Sequence, residues 1–279
     1  MINNSFFSTE ILRWFRENGR DLPWRETRDP YAIWLSEIIL QQTRIAQGWE
    51  YWERFMQTYP HVEDLATASE DDVLKLWQGL GYYSRARNLH AAARQIVALG
   101  EFPNTLDGIK SLKGVGDYTA AAIGSFAFNL PAAVVDGNVY RVLSRYFGID
   151  TPINSTQGKK EFAALAQSLL PASEAAAYNQ GIMDFGAIQC TPQSPKCLLC
   201  PLAETCEALR NGRVEELPVK NKTVKVKTRH LSYVYIRYKA PALESQAEAE
   251  NHAESESWIA IHRRGEGDIW QGLWEPYNI

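Results

Sequence analysis

The chain has 279 residues, of which 45% are hydrophobic and 22% are charged, a composition typical of a globular protein of one or two domains. No apolar run is long enough to cross a bilayer, and the first residues, MINNSFFSTE, lack the basic and apolar segments of a secretory signal, so we expect a cytoplasmic protein without a membrane partner. The formal net charge of −4 argues against bulk attraction to a polyanion, but without the five glutamates between residues 241 and 257 the charge would be +1, so a nucleic-acid partner is not excluded.

The first half of the chain is predicted to be helical. A first helix follows Ser8 or Thr9, either of which can cap it, and Leu22-Pro23-Trp24-Arg25 ends it. Asp29-Pro30 is a strong start signal for a second helix, because aspartate caps an N-terminus and proline suits the first helical position. We expect this second helix to run from Tyr31 to about Trp52, with apolar residues at close to helical spacing.

One acidic residue, Glu37, lies in the most apolar part of this second helix. Its neighbours include Leu35 and Ile38, and burial of a carboxylate is costly unless the group is paired or protonated. Glu37 therefore either faces a polar crevice, or is buried with a raised pKa, or lies on a solvent-facing stripe of the helix. The pattern leaves these three possibilities open.

The next segment contains two helices joined by a glycine-rich turn. Ser69 with Asp71-Asp72 opens the first helix, Gly79-Leu80-Gly81 closes it, and the second runs from Tyr82 to about Leu99. Aromatic rings and arginines beside flexible glycines suit nucleic acid, because rings stack on bases and guanidinium groups bind phosphates. Buried tyrosines and a solvated arginine face explain the same pattern equally well.

A short turn, Leu112 to Gly116, leads directly into an apolar helix, Asp117 to Phe128. Glycines at positions 114 and 116 allow close approach of the backbone to another molecule, and the N–H groups of a helix N-terminus favour an anion such as phosphate. A tight connection between two helices is the alternative interpretation of the same glycines.

Asp136 lies just before a further helix, Val139 to Phe147, and its position is typical of an N-cap. Two more helices are predicted from Thr156 to Leu170 and from Glu174 to Ile188. The chain has no internal repeat at a fixed period, which argues against a solenoid.

The only four cysteines, Cys190, Cys197, Cys200 and Cys206, follow in the spacing C-x6-C-x2-C-x5-C. Four cysteines this close in a cytoplasmic protein indicate metal ligation rather than disulfides. A structural zinc site more often uses two close pairs, whereas ligation by thiolates alone around a compact loop fits a [4Fe–4S] cluster. The spacing favours iron–sulfur and leaves zinc open.

Beyond Arg210 the composition changes, with Asn211-Gly212 and Pro218 marking a linker. The linker carries a basic run without an acid: Lys220, Lys222, Lys225, Lys227 and Arg229. A solvated linker and a segment that follows phosphates both account for this run. His230–Tyr238 and Trp258–His262 are predicted strands on either side of the acidic stretch.

Four motifs carry a resemblance to a known family. They are LPWR with SEIILQQTR, GLGYYSRARNL, the hairpin LKGVGDYTAAAI with VDGNVYRVLSRYF, and the cysteine loop. In order and distance they resemble the adenine DNA glycosylase (MutY) family of the endonuclease III-like helix–hairpin–helix superfamily, over nearly all of residues 6–210. The ending, RRGEGDIWQGLWEPYNI, resembles the start of that family's Nudix-like domain.

The resemblance implies a mainly α protein. Residues 1–210 are expected to form a helical glycosylase domain, a six-helix barrel with a [4Fe–4S] loop subdomain at residues 190–206. Residues 211–229 would be a linker and residues 230–279 an incomplete, β-containing Nudix-like domain. Two or three strands are too few for a sheet with its own core.

The resemblance also assigns roles to residues. Glu37, kept protonated, would donate a proton to the adenine ring at N7, and Asp136, kept ionised by its helix N-terminus, would stabilise the positive charge that develops on the sugar. Tyr118 and Asn138 would orient these groups, and the four cysteines would ligate the cluster. The DNA-binding set would be the pocket residues Leu22, Trp24 and Arg25, the wedge residues Gln42 and Tyr82, and the hairpin residues Lys113, Gly114 and Gly116.

Position 118 distinguishes close relatives. Endonuclease III-type enzymes have a lysine there that forms a Schiff base with the sugar, whereas this chain has Tyr118, so we expect a monofunctional glycosylase. We expect a monomer whose partner is double-stranded DNA containing adenine opposite 8-oxoguanine or guanine. A bacterial protein of this kind would be associated with the nucleoid. The alternatives are an endonuclease III-like lyase for oxidised pyrimidines and a non-catalytic iron–sulfur DNA-binding protein.

Overall fold

The computed structural model describes residues 4–222, 228–239, 257–268 and 270–278. These residues form two compact units, one of residues 4–80 with 85–222 and the other of residues 81–84 with the described residues after 227. Within these ranges, no helix combines the length and apolarity needed to cross a membrane. Lys225 and Lys227 of the predicted basic run, and the acidic stretch up to residue 256, lie outside the described residues.

The larger unit is helical, which confirms the predicted fold class. Its helices are α1 (Asn4–Asn18), α2 (Pro30–Ile39), α3 (Ile45–Thr58), α4 (Val62–Thr67), α5 (Glu70–Leu76), α6 (Ser84–Leu99), α7 (Leu106–Lys110), α8 (Asp117–Phe128), α9 (Gly137–Phe147), α10 (Thr156–Leu169), α11 (Ala175–Asp184) and α12 (Glu207–Arg210). Helix α1 begins before Ser8 and Thr9, so the predicted cap is wrong. The Ser8 hydroxyl instead donates to the Leu169 carbonyl of α10 at 2.6 Å.

The predicted second helix is in fact two helices, α2 and α3, joined by a turn. The Arg85 guanidinium donates to the carbonyls of Ile38 and Ile39 at 3.1 and 3.2 Å, and also to the carbonyl of Gln41. A continuing helix would need these carbonyls for its own hydrogen bonds, so Arg85 favours the break. Gln42 then adopts a left-handed conformation with φ of 57°, which reverses the direction of the chain.

Among the described residues, two apolar clusters pack helices of the larger unit together. The larger lies between α1, α9, α10 and α11 and includes Phe7, Tyr146, Phe162 and Phe185, each no more than 2% exposed. The smaller joins α2 to α8 around residues such as Phe126. Packing of α2 and α9 into these clusters brings the segments that carry Glu37 and Asp136 to the same part of the unit.

The glycine-rich turn between α7 and α8 forms as predicted. Gly114 is left-handed, with φ of 79°, and a Cβ there would lie 2.7 Å from the Cβ of Asn88 on α6. Gly114 is therefore required both by its conformation and by close packing. Gly116 has φ of −98°, an ordinary value, and is the N-cap of α8 without a side-chain cap. Only the first of the two glycines uses the special freedom expected of both.

The smaller unit consists of short paired strands. They are β1 (Tyr233–Val234), β2 (Arg237–Lys239), β3 (Ser257–Ile259), β4 (His262–Arg263), β5 (Trp274–Glu275) and β6 (Tyr277–Asn278). Antiparallel pairs form between β1 and β6, β2 and β3, and β4 and β5. The expected number of two or three strands is wrong, because each of the two predicted strands is divided in two and the ending adds β5 and β6. Trp258 and Tyr238, opposite each other in the β2–β3 pair, are about 60% exposed.

Candidate active site

Glu37 lies in the last turn of α2, and its side chain is buried, with 9% of the residue exposed. Burial is the main cause that raises its pKa to about 7, and the negative charge of Asp136 adds to the rise. The charge of Arg25 and the hydroxyl of Tyr118, which donates to Oε2 over a long 3.5 Å, act in the opposite direction. The structure thus excludes the solvent-facing stripe: the carboxyl is buried with a raised pKa, and it also borders a polar cleft.

Asp136 is the N-cap of α9, as its position predicted. Its Oδ1 accepts from the backbone N–H of Val139 and its Oδ2 from the Asn138 side chain, both at 2.8 Å. Burial raises the pKa of Asp136, while these hydrogen bonds lower it and limit the rise. The net direction is upward, so the helix N-terminus opposes the cost of burial without outweighing it.

The two carboxyl groups line one cleft. Tyr118 of α8 and Asn138 of α9 line it with them, so the structure brings together the four residues that the sequence pointed to for catalysis. The electrostatic influence of Asp136 on the pKa of Glu37 shows that the two acids are close enough to interact. A protonated and an ionised carboxyl facing one cleft can act as an acid and as a stabilising anion.

A pocket next to this cleft also contains Glu37. The three predicted pocket residues, Leu22, Trp24 and Arg25, line it. The Trp24 ring packs edge-on against those of Trp49 and Trp52, with centroids 5.9 and 5.7 Å apart. One wall of the pocket is thus aromatic and apolar and another carries an acid, which suits a planar heterocycle with polar edges.

Among the residues of this pocket region that the sequence did not reveal, three lie on α11. Gln180 and Met183 line the pocket, and Asp184 binds Arg25, whose Nη1 and Nη2 donate to it at 2.7 and 2.9 Å. Their i, i+3 and i+4 spacing places them on one face of α11. A polar glutamine and aspartate on such a face were the available signal, but they match no chemical motif.

The residues predicted to contact DNA do not all lie in the cleft. Gln42 is exposed in the turn after α2, and Lys113 is exposed in the α7–α8 turn, where its backbone N–H donates to the Gln95 side chain at 2.7 Å. Gly114 and Gly116 lie in that same turn. Tyr82 belongs to the smaller unit, is 64% exposed and has φ of 46°. Exposure leaves these side chains accessible to a partner.

The four cysteines surround one cavity near the end of α9. None forms a disulfide, and burial raises the pKa of the Cys200 thiol to about 12, so a nearby cation is needed to hold it as a thiolate. Among the described side chains, no three His, Cys, Asp or Glu form a group that could hold one metal ion. Thiols spread around a shared cavity fit a cubane, in which each cysteine ligates a different iron.

Buried arginines connect the cysteine loop to the rest of the unit. Arg145, 3% exposed, donates to Cys190 Sγ at 3.5 Å and to the Thr191 carbonyl at 2.7 Å. Arg141 donates at 2.8 Å both to the Cys190 carbonyl and to Asn138 Oδ1. Since Asn138 binds Asp136, hydrogen bonds run without a gap from the loop to that carboxylate.

Comparison with known proteins places these features in context. Residues 35–171 match the HhH-GPD superfamily of base excision DNA repair proteins, and residues 190–206 match the iron–sulfur binding domain of endonuclease III. The second match covers the four cysteines, so it confirms the predicted [4Fe–4S] site and decides against zinc.

Two curated relatives are adenine DNA glycosylases from Buchnera aphidicola. One, from the subspecies of Acyrthosiphon pisum, is 39% identical over 77% of this chain and 62% of its own length. The other, from the subspecies of Schizaphis graminum, is 35% identical over 90% of this chain and 72% of its own length. The chain thus spans about three-fifths of the first relative. A solved structure of a thermostable thymine-DNA glycosylase is also similar, with a TM-score of 0.69 and 34% identity over 75% of this chain and 97% of that chain.

Proposed function

Since the chain belongs to the adenine DNA glycosylase family, we propose that it hydrolyses the N-glycosidic bond of adenine in DNA. The observation that carries the proposal is the pair of buried carboxyls, Glu37 and Asp136, that share one cleft. Glycosidic bonds are broken by such pairs, one group acting as an acid on the leaving group and the other stabilising the sugar cation.

Glu37 supplies the acid. A pKa of about 7 means that a large fraction of Glu37 carries a proton near neutral pH, whereas an ordinary glutamate would be ionised. Protonation of the adenine ring makes the base a better leaving group. The bond is inaccessible while the base is stacked in the duplex, so the base must be flipped out. The aromatic wall formed by Trp24 then holds the flipped base against Glu37.

Asp136 supplies the anion. Its hydrogen bonds from Val139 and Asn138 fix the carboxylate in place before the reaction begins. A preorganised negative group stabilises the positive charge that develops on the sugar without any rearrangement at the moment of bond breaking. Water then adds to the sugar and completes the hydrolysis.

The partner proposed for this site is double-stranded DNA with adenine opposite 8-oxoguanine or guanine. Exposed Gln42 and Tyr82 act as wedges in the duplex. The α7–α8 turn binds a phosphate through the Lys113 side chain, the close approach that Gly114 permits and the start of α8. The four cysteines would hold the [4Fe–4S] cluster, and this ligation would order the loop from residue 190 to 206, which is a structural contribution.

Tyr118 makes the reaction monofunctional. It occupies the cleft beside Glu37 and offers a hydroxyl but no amine, so no Schiff base with the sugar forms from this position. Borohydride trapping on the adenine:8-oxoguanine duplex checks this: a strong covalent adduct would contradict it.

A second candidate is release of thymine, because one similar solved structure is a thymine-DNA glycosylase. Both candidates are tested in one assay of base release from duplexes with adenine opposite 8-oxoguanine, adenine opposite guanine, thymine opposite guanine, and an oxidised pyrimidine. We expect adenine release that Glu37→Gln lowers by about 10³-fold. Release of thymine or of the oxidised pyrimidine in its place would overturn the proposal, and unchanged adenine release by Glu37→Gln would overturn the role of this acid. A broad ultraviolet–visible band of the purified protein checks for the cluster.

A further inference from the structure

Asp184 is the most completely buried acid near the site, and the proposed reaction does not use it. It is the last residue of α11, its side chain is 0% exposed, and a segment of π-helix, Phe185–Gln189, follows it directly. Segments of π-helix occur frequently at functional sites. A carboxylate so far from water must be compensated by positive charge.

Two arginines compensate it. Arg25 binds Asp184 with both terminal nitrogens, and Arg20 binds it through the backbone N–H at 3.0 Å and the side-chain Nε at 2.9 Å. Burial alone would raise the pKa of Asp184, but the hydrogen bonds from Arg25 and Arg20 outweigh burial and hold the pKa below its ordinary value. Asp184 is therefore an anion locked between two cations.

The same two arginines line the pocket that contains Glu37. Arg25 is only 14% exposed, so water screens its charge poorly, and its position favours the ionised form of Glu37. An ionised Glu37 cannot protonate a leaving group. The positive charge of Arg25 beside Glu37 thus opposes the reaction, and the negative charge of Asp184 balances it.

We propose that Asp184 is a positioning residue for the reaction, which neutralises Arg25 and so preserves the proton on Glu37. This inference rests on the proposed function, because it concerns the acid of that reaction. Asp184 acts through Arg25 and does not itself touch the substrate.

The other charged or titratable groups around Glu37 come from several elements. They are Asp136 before α9, Tyr118 on α8, Arg44 before α3, and Arg20 and Arg25 between α1 and α2. Asp136 raises the pKa of Glu37 in every variant considered below, so the change produced by each substitution arises from the Arg25–Asp184 pair.

Two substitutions separate this role from a purely structural one, because they shift the pH dependence in opposite directions. Asp184→Asn leaves Arg25 uncompensated, so Glu37 loses its proton more easily and the fall in rate at high pH moves to lower pH, by about one unit. Arg25→Gln removes the cation, and the fall moves to higher pH. The double variant lies between the two single variants, because Arg25 is removed but Arg20 keeps its charge without its partner Asp184.

The measurement is the single-turnover rate of adenine release between pH 5.5 and 9 for the wild type and these three variants. The control is Arg16→Gln, which breaks an exposed pair with Glu174 and leaves the profile in place. Shifts of the same sign in both single variants, or no shift in either, would overturn the inference. If Asp184→Asn does not fold, the direction of the Arg25→Gln shift decides.

A second readout does not depend on turnover. The pH at which the unfolding free energy of each variant diverges from that of its Glu37→Gln counterpart reports the ionisation of Glu37. We expect this pH to fall in Asp184→Asn and to rise in Arg25→Gln. If the variants show these shifts but the wild type releases no adenine, the proposed function is refuted and the electrostatic coupling stands. If the pH of divergence is the same in the variants as in the wild type, the coupling is refuted.

Discussion

The two walls of the cleft place the same functional group in opposite surroundings. Glu37 projects from the last turn of an apolar helix, where the backbone N–H groups bond within the helix. Among the described residues, only one long hydrogen bond reaches its carboxyl. Asp136 projects from the first turn of α9, where two short hydrogen bonds reach it. Backbone position thus prepares one carboxyl to hold its proton and the other to release it.

A single fold thus obtains an acid and an anion from similar side chains. Burial raises the pKa of both groups, but the donors around Asp136 oppose the rise and the surroundings of Glu37 do so only weakly. The division of labour therefore depends on hydrogen-bond donors more than on burial.

The largest expected effect comes from removal of the acid. Glu37→Gln keeps the size of the side chain but has no proton to donate at this position, so we expect the single-turnover rate of adenine release to fall by about 10³-fold, as is typical for loss of a general acid. DNA binding should persist in a gel-shift assay. Glu101→Gln, at an exposed glutamate, is the matched control and should retain full activity.

Removal of the anion ranks next. Asp136→Asn should lower the rate by about 10²-fold, because the developing positive charge loses its fixed counter-charge. Asparagine caps helices as well as aspartate does, so the melting temperature should change little. A large loss of stability would instead show that the residue is needed mainly as a cap.

We expect the ionisation of Glu37 to change the free energy of unfolding with pH more than the ionisation of Asp136 does. The pKa of Glu37 is raised from 4.5 to about 7 on folding, so the stability associated with its neutral form is fully present below pH 4.5 and is lost as pH rises to about 7. Glu37→Gln should therefore melt several degrees above the wild type at pH 8 and close to it at pH 5. Equal melting temperatures at pH 8 would contradict the raised pKa.

The smallest effects concern the donor of each carboxyl. Tyr118→Phe removes a hydrogen bond that lowers the pKa of Glu37, so the fall in rate at high pH should move upward by less than about one unit. Asn138→Ala removes a hydrogen bond that lowers the pKa of Asp136, so the rise in rate on the acidic side of the profile should move to higher pH. A shift of the same side of the pH–rate profile in both variants would contradict the proposed division of roles between the two acids.

Features that depend on neighbours along the chain could be predicted. Asp136 as an N-cap, the left-handed Gly114 and the ligand spacing of the cysteines all follow from residue type and local order. The break after α2 could not be predicted, because it is favoured by Arg85, which lies on another helix. The pocket residues on α11 were missed for the same reason, because the role of Asp184 depends on its ion pairs with Arg20 and Arg25, which are distant in sequence.

The amino-acid order was sufficient to identify the family, the helical fold, the cluster ligands and the candidates for the two acids, because motifs and caps are short-range patterns. It was not sufficient to assign the protonation of Glu37. That property arises when packing removes water from the side chain and brings Asp136 and Arg25 near it. Desolvation and electrostatic fields act through space, so they are determined only when distant segments have met.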